Sequence, residues 1–404
     1  MNQRRNQRLR LAAATSAAVF GLCLAGAPPA SAGGGHGGGG PNDPKVVASG
    51  LDNPRQLSFT SSGNLLVAEA GEGGSGPCMD GPEGGTVCFG ATGAITEVTK
   101  RGKQRRIISG LPSLGGQGTG AESIGPSDVH KAGRRISVLI GLGADPAIRA
   151  KLPAPGQRMG TLIQTRRHHH GFRTIADLAA WEATNNPINN PDSDPAGMLY
   201  QHGKYVVADA GGNTVLKVNR RGDIRLLAKF EDRQVDAPPF LGLPPGTQIP
   251  MQAVPTSVAT KGYDGAYYIS ELTGFPFPTG AANIYRINPR NGKRTVYASG
   301  LTNVTDLAFR GRTLYAVQIS TKGLLEGPIG SVVRVKRGGS TPADHKPLLS
   351  EVPAPYGIAI RGNSAYIATH RFACTSTKAP EVGTSGIKVN LVSSPLVRYM
   401  CAKP

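Results

Sequence analysis

Apolar and polar residues alternate in short runs that recur along this chain. Leu57–Glu69 reads LSFTSSGNLLVAE, Leu199–Asp209 LYQHGKYVVAD, Val258–Glu271 VATKGYDGAYYISE, Leu307–Gln318 LAFRGRTLYAVQ and Ile358–His370 IAIRGNSAYIATH. Val129–Ile140, VHKAGRRISVLI, fits the pattern less closely. Each run reads as a strand, a Gly-containing tight turn and a second strand, which predicts a β-hairpin. Five of the six follow an x-Pro-x step, at Pro54, Pro126, Pro195, Pro255 and Pro355, and the other follows Val304. Successive anchors lie about 50 to 70 residues apart, a spacing that suits four-stranded propeller blades.

Third and fourth strands are predicted behind the hairpins. They are Gly93–Val98 with Arg105–Ser109, Thr161–Thr165 with Phe172–Leu178, and Thr214–Val218 with Ile224–Phe230. Asn283–Ile287 with Thr295–Ser299 and Ser331–Val335 with Pro347–Glu351 complete the series. The last unit has a third strand near Leu396–Tyr399, after which the chain ends. Its missing fourth strand is found at the other terminus. Lys45–Asn53, KVVASGLDN, copies Thr295–Asn303, TVYASGLTN, a fourth strand leading into a new unit. The expected fold is all-β: a six-bladed β-propeller of four-stranded blades over residues 45–404, its ring closed by the N-terminal strand. A β-sandwich lacks this repeat.

Residues 1–32 read as a signal peptide. Arg4, Arg5, Arg8 and Arg10 precede an apolar stretch from Leu11 to Gly26, and Ala30-Ser31-Ala32 offers an A-x-A cleavage site. The stretch is too short and too Ala-rich for a membrane anchor, so no transmembrane segment is expected in the mature chain. Residues 33–44 form a Gly-rich tether. The protein is therefore expected to be exported, extracellular or associated with the cell wall. Its 56 Gly and 32 Pro among 404 residues argue against a helical protein. A hydrophobic content of 39% argues against disorder. No phosphate-binding loop or nucleophile elbow is present. An aromatic content of 5% gives no base-stacking surface, so nucleic acid is not an expected partner.

Several longer segments carry a resemblance. VVASGLDNPRQL, GPSDV, IGLGADPA, ADLAAWEA-x-NNP, VPTSVA and ISELTGFPFP resemble the ScyD/ScyE family of exported β-propeller proteins, over nearly all of the mature chain. The resemblance implies a propeller but no settled biochemical role. More distantly, the chain is similar to NHL, TolB and gluconolactonase-type propellers.

In such blades, strand one begins and strand two ends at the same rim. The long loops belong to that rim: Ala70–Thr92, Gly141–Gly160, Leu272–Ala282, Ser320–Gly330 and Arg371–Pro395 within blades, and Gly110–Gly125, Ala179–Asp194 and Glu231–Ala253 between them. Long loops on a rigid scaffold are where binding is usually placed. Four cysteines remain after signal removal, and three connectivities are open to them. The simplest pairs Cys78 with Cys88 inside one loop, and Cys374 with Cys401 to tie the last loop to the C-terminus.

Twelve positions are expected to line the axial channel at this rim. Strand one supplies Arg55, Ser127, Ala196, Thr256, Thr305 and Tyr356; strand two supplies Glu69, Ile140, Asp209, Glu271, Gln318 and His370. The ligand-binding candidates are Arg55, Glu69, Asp209, Thr256, Glu271, Gln318, Tyr356 and His370. Glu69, Asp209 and Glu271 form a candidate oxygen site for Ca²⁺, and one carboxylate could act as general base. The bland alternative is a wet polar channel in which Arg55 balances Glu69 or Asp209. No catalytic residue is assigned. The expected role is binding or scaffolding of a small molecule or protein at the channel face, with a metal-assisted hydrolase of the lactonase type as the alternative. His168-His169-His170 reads as an exposed turn rather than a metal site.

The formal charge is +19, part of it in the signal peptide. Much of the rest flanks the turns between strands three and four: Lys100, Arg101, Lys103, Arg105 and Arg106, then Arg166 and Arg167, Arg220 and Arg221, Arg290, Lys293 and Arg294, and Lys336 and Arg337. This outer rim, on the face opposite the carboxylates, suits an anionic cell-wall polymer or matrix.

Overall fold

The computed structural model describes residues 44–82, 84–117, 120–166, 171–372, 381–382 and 388–397. These form six sheets of four or five strands and one separate two-stranded hairpin. Five sheets are antiparallel, with their main strands side by side in chain order; in the first, the short strand Cys78–Asp80 is added out of order against Thr86–Val98. The first holds Pro54–Phe59, Leu65–Glu69, Thr86–Val98 and Gln104–Gly116. The second holds Pro126–Ala132, Arg135–Ile140, Thr161–Arg166 and Arg173–Asp177. Pro195–Gln201, Lys204–Asp209, Thr214–Val218 and Ile224–Lys229 make the third. Pro255–Ala259, Tyr267–Glu271, Ala282–Ile287 and Arg294–Leu301 make the fourth. In the fifth, Val304–Arg310, Thr313–Gln318, Ile329–Arg334 and Lys346–Pro353 are joined at the edge by Glu381–Val382.

The sixth sheet departs from the expected repeat. Ile358–Arg361 and Ser364–Phe372 form the predicted hairpin. Lys388–Val397 then runs parallel to Ser364–Phe372, and Lys45–Ala48 runs parallel to Lys388–Val397. Five antiparallel blades and one mixed sheet thus replace six equivalent antiparallel blades. Alternation of side chains specifies which face of a strand is buried; it does not specify strand direction. The predicted strand Leu396–Tyr399 overlaps this strand only at its end, and residues 398–399 lie outside the described part. So do residues 1–43, with the expected signal peptide and nearly all of the expected tether, as well as His168–His170, Cys374 and Cys401.

Several expected loops are partly strand, Arg371–Pro395 among them, since Lys388–Val397 begins inside it. Cys78–Asp80 pairs with Thr86–Val98 inside the 70–92 segment, and Cys78 is disulfide-bonded to Cys88, which stands opposite it. The last strand of the first blade continues to Gly116, through Pro112 and three glycines that read as turn residues. Packing decides here. Leu111 and Leu114 enter one apolar cluster with Val87, Phe89, Leu142 and Met159, and their burial outweighs local turn preference. The segment from Glu231 to Ala253 holds the separate hairpin, Arg233–Asp236 with Gln248–Met251.

Each pair of neighbouring sheets shares its own apolar cluster. Leu139, Leu162, Met198 and Val207 join the second to the third. Val258, Ile269 and Val206 join the third to the fourth. Leu57, Val67, Ala359 and Val392 join the first to the mixed sheet.

A hydrogen bond repeats at the rim of all five antiparallel blades. The residue before each strand-one anchor accepts, through its main-chain oxygen, the N–H of the residue after strand two. The pairs are Asn53 with Ala70, Gly125 with Gly141, Asp194 with Ala210, Val254 with Leu272 and Asn303 with Ile319, at 2.9–3.0 Å. This bond gives the copied segments GLDN and GLTN a physical reason. Asn53 and Asn303 hold left-handed backbone (φ 52° and 43°), which Asn tolerates. Their side-chain amides donate to Gly71 O and Leu272 O, each at 2.7 Å.

Around the axis, the inner strands approach closely. Ser127, Thr256 and Thr305 donate their hydroxyls to main-chain oxygens of the following sheet, Pro195, Val304 and Tyr356, at 2.6–2.7 Å. Two buried carboxylates do the same with acceptors. Asp128 accepts the N–H groups of Val129 and, across the blade boundary, Met198. Asp306 accepts from Leu307 N–H, Ser257 hydroxyl and Ile358 N–H. Glycine is needed just before both cross-boundary donors. A Cβ on Gly197 would lie 2.4 Å from Thr256 O, and one on Gly357 2.3 Å from Arg55 O.

Burial pushes the Asp306 carboxyl up to about 7, against the pull of its three donors. The folded chain therefore holds that proton more tightly than the unfolded chain. The resulting stability is complete below the ordinary value of 3.8 and is lost as pH rises through about 7. Thermal unfolding at about pH 5 and about pH 8 should show a fall in Tm with rising pH, and Asp306→Asn should lessen it. A fall unchanged by the substitution would contradict the assignment.

Candidate functional site

A cup of about 360 Å³ opens at the long-loop rim, over the inner strands. Five of the six predicted strand-one positions line it: Arg55, Ser127, Ala196, Thr305 and Tyr356. Thr256, the sixth, is buried, its hydroxyl 2.9 Å from that of Ser270. Gln56 reaches from the first blade to the fourth and donates to Thr256 O at 2.9 Å, bridging the centre at strand-one level. The apolar part of the wall comes from the loops and includes Pro82, Ile124, Leu272, Ile319 and Leu324.

Arg55 is the cationic side chain among the lining residues. Its guanidinium stacks over Tyr356, 4.4 Å from the ring centroid, and is held in place by a hydrogen bond to Ser123 O. Such stacking leaves other guanidinium donors free to meet an anion. Burial pushes the Tyr356 phenol up, while Arg55 draws it down. The acidic members of the lining are Glu122 and Asp194. Burial lifts Asp194 to about 7, Asp209 and Asp192 add to the rise, and Arg55 opposes it. Asp194 was not among the predicted channel residues, although it directly precedes the anchor Pro195.

The predicted strand-two positions serve the fold instead of the cup. Glu69 is fully buried and accepts from Asp52 N–H at 2.8 Å, from the Thr96 hydroxyl at 2.6 Å and from Arg106 at 2.7 Å. Asp209 accepts from the Ser193 hydroxyl, Asp194 N–H and Gly212 N–H. Burial raises it to about 6 against those donors. Glu271 takes Arg233 at 2.7 Å and Asn283 N–H at 3.0 Å. Gln318 accepts from Thr302 N–H and donates to Ser331. Ile140 is buried, and the His370 side chain lies outside the described residues.

Glu69, Asp209 and Glu271 are therefore not brought together as a cation site. Each belongs to a different blade and is engaged by its own donors there. Among the described residues, no group of three or more His, Cys, Asp or Glu is disposed to hold a metal. Arg106 also departs from expectation: it does not extend the basic outer rim but turns to the Glu69–Asp52 pair.

Blades of this construction, packed about a bridged axis, define a β-propeller. No family model matches the chain, and no curated protein matches it. Among solved structures, it is similar to a Bacteroides thetaiotaomicron protein of unknown function (10% identity, 80% of this chain and 72% of the other, TM-score 0.46). It is also similar to a candidate gluconolactonase (10% identity, 80% and 86%, TM-score 0.43) and to virginiamycin B lyase from Staphylococcus aureus (12% identity, 76% and 74%, TM-score 0.38). Among the described residues, no helix is long and apolar enough to cross a membrane.

Arg106→Ala would leave the Glu69 carboxylate buried without its cation. A loss of about 3 kcal/mol in unfolding free energy is expected from denaturant melts. A loss under about 0.5 kcal/mol would show that the pair does not hold the first blade's rim together.

Proposed function

We propose that this chain is an exported, ScyD/ScyE-like binding protein, a six-bladed propeller whose ring is completed by the mixed sheet and whose ligand sits in the long-loop cup. The carrying observation is Arg55, stacked on Tyr356 and half-buried in a cup whose loops are largely apolar. That combination suits a small molecule, or a partner's side chain, with an aromatic or apolar body and one anionic group. The loops that supply Leu272 and Leu324 also carry the exposed Phe275 and Leu325, which widen the apolar contact. Pairing of Lys45–Ala48 with Lys388–Val397, and the cluster joining that sheet to the first, support the six-bladed reading. The metal-assisted hydrolase is not carried forward, because its three carboxylates are engaged separately.

Calorimetric titration with a panel of aromatic carboxylates tests the cup. A member of the panel should bind, and Arg55→Ala should weaken it about tenfold or more, as expected for loss of a charge-assisted contact. Absence of binding across the panel, or binding indifferent to Arg55, would overturn the reading.

The opposite rim is proposed to rest on an anionic wall polymer. Lys100, Arg101, Lys103, Arg221, Lys293 and Arg337 are exposed there. Retention on isolated cell wall should then decline as salt is added; retention insensitive to salt excludes this docking mode.

A further inference from the structure

Between the second and third blades lies a group of buried oxygens that the fold does not use. The chain leaves the second blade in the helix Leu178–Asn185, capped at its start by the Asp177 carboxylate, which accepts Ala180 N–H. The helix ends on Asn186 in left-handed conformation, and the chain then passes through Asn189, Asn190 and Asp192 to the third blade. Glu182 points inward from the helix and is fully buried, yet neither of its carboxylate oxygens has a hydrogen-bond partner. Asn186 Oδ1 (one helical turn further on), Asp192 Oδ1 and Thr214 Oγ1 are likewise buried and unpartnered.

Two of these groups meet at one place, against the Gly211-Gly212 turn. A Cβ on Gly212 would lie 3.0 Å from Glu182 Oε2 and 3.4 Å from the main-chain oxygen of Asp192. A Cβ on Gly211 would lie 2.5 Å from Asp192 Oδ1. The two glycines therefore leave room for both carboxylates to approach the same stretch of backbone. The charged groups that act on Glu182 are Asp209 and Asp192, both acidic. Asp209 already has its own three donors. A buried carboxylate without a donor or counter-charge is strongly unfavourable.

We propose that this pocket binds a hard divalent cation, Ca²⁺, through the carboxylates of Glu182 and Asp192, with Asn186 Oδ1, Thr214 Oγ1 and the Asp192 main-chain oxygen as neutral donors. Two carboxylates match the charge of the ion. The set is all oxygen, which favours Ca²⁺ over zinc. Its mixture of carboxylate, amide, hydroxyl and carbonyl groups suits the flexible coordination of Ca²⁺ better than the strict octahedron of Mg²⁺. The site is distinct from the channel carboxylates considered above and does not rest on the cup's ligand. It would fasten the segment between the second and third blades, two residues before Asp194 in the wall of the cup.

The test uses the full chain stripped with EDTA. Ca²⁺ is expected to raise Tm, Mg²⁺ to do so less, and equilibrium dialysis to show a single bound Ca²⁺. Terbium, a calcium surrogate, gives a local readout, because the chain has one Trp and Trp181 adjoins Glu182. Excitation selective for Trp should produce terbium emission that Ca²⁺ competes away. Glu182→Gln, close in size, should lower Ca²⁺ affinity by about tenfold or more by removing one of two carboxylate ligands. Asp192→Asn should act likewise and serves if Glu182→Gln does not fold. No bound Ca²⁺ in the wild-type chain, or terbium emission and Ca²⁺ affinity unaltered in a folded variant, would overturn the proposal.

Discussion

The close approach of the inner strands around the axis constrains everything else. At that radius, main-chain groups of one sheet face those of the next, with little room for side chains and no sheet ladder across the gap. Buried main-chain polar groups must still be paired. The hydroxyls of Ser127, Thr256 and Thr305 and the carboxylates of Asp128 and Asp306 meet that need. Gly197 and Gly357 make the approach possible. The axis is thus a polar seam, while the apolar clusters lie further out, between blade faces.

This seam explains why the cup draws its chemistry from two sources. Strand-one residues at the rim side of the seam point into open space, so Arg55 and Tyr356 are available to a ligand. At the ends of strand two the chain turns sharply into loops and the preceding blade arrives. The polar residues there, Glu69, Asp209 and Gln318, are occupied by main-chain N–H groups of the arriving segment. A carboxylate that caps three donors in a dry place is a structural tie. The acids left for the cup, Glu122 and Asp194, come from the connections between blades.

The same connections hold the unpaired oxygens of Glu182 and Asp192. Irregular segments bring polar groups inward without a ladder to satisfy them. That makes them the natural place for either a ligand or an ion to complete the structure.

Much of the architecture was legible in the sequence because a hairpin is a local object. Alternation in runs such as LYQHGKYVVAD fixes which side chains share a face, and the glycines mark the turns; all six predicted hairpins are present, with Cys78 joined to Cys88 as expected. The anchors also located five of the residues that line the cup. What depended on contacts distant in the chain was not legible. Whether Glu69 faces a channel or Arg106 and whether Lys388–Val397 runs up or down are settled by long-range contacts within a sheet, and whether Gly116 ends a strand or a loop by packing between sheets. Local pattern determined the strands and their faces. Only the tertiary structure decided which polar residues tie the fold and which remain for function, because that depends on the donors that packing brings to each oxygen.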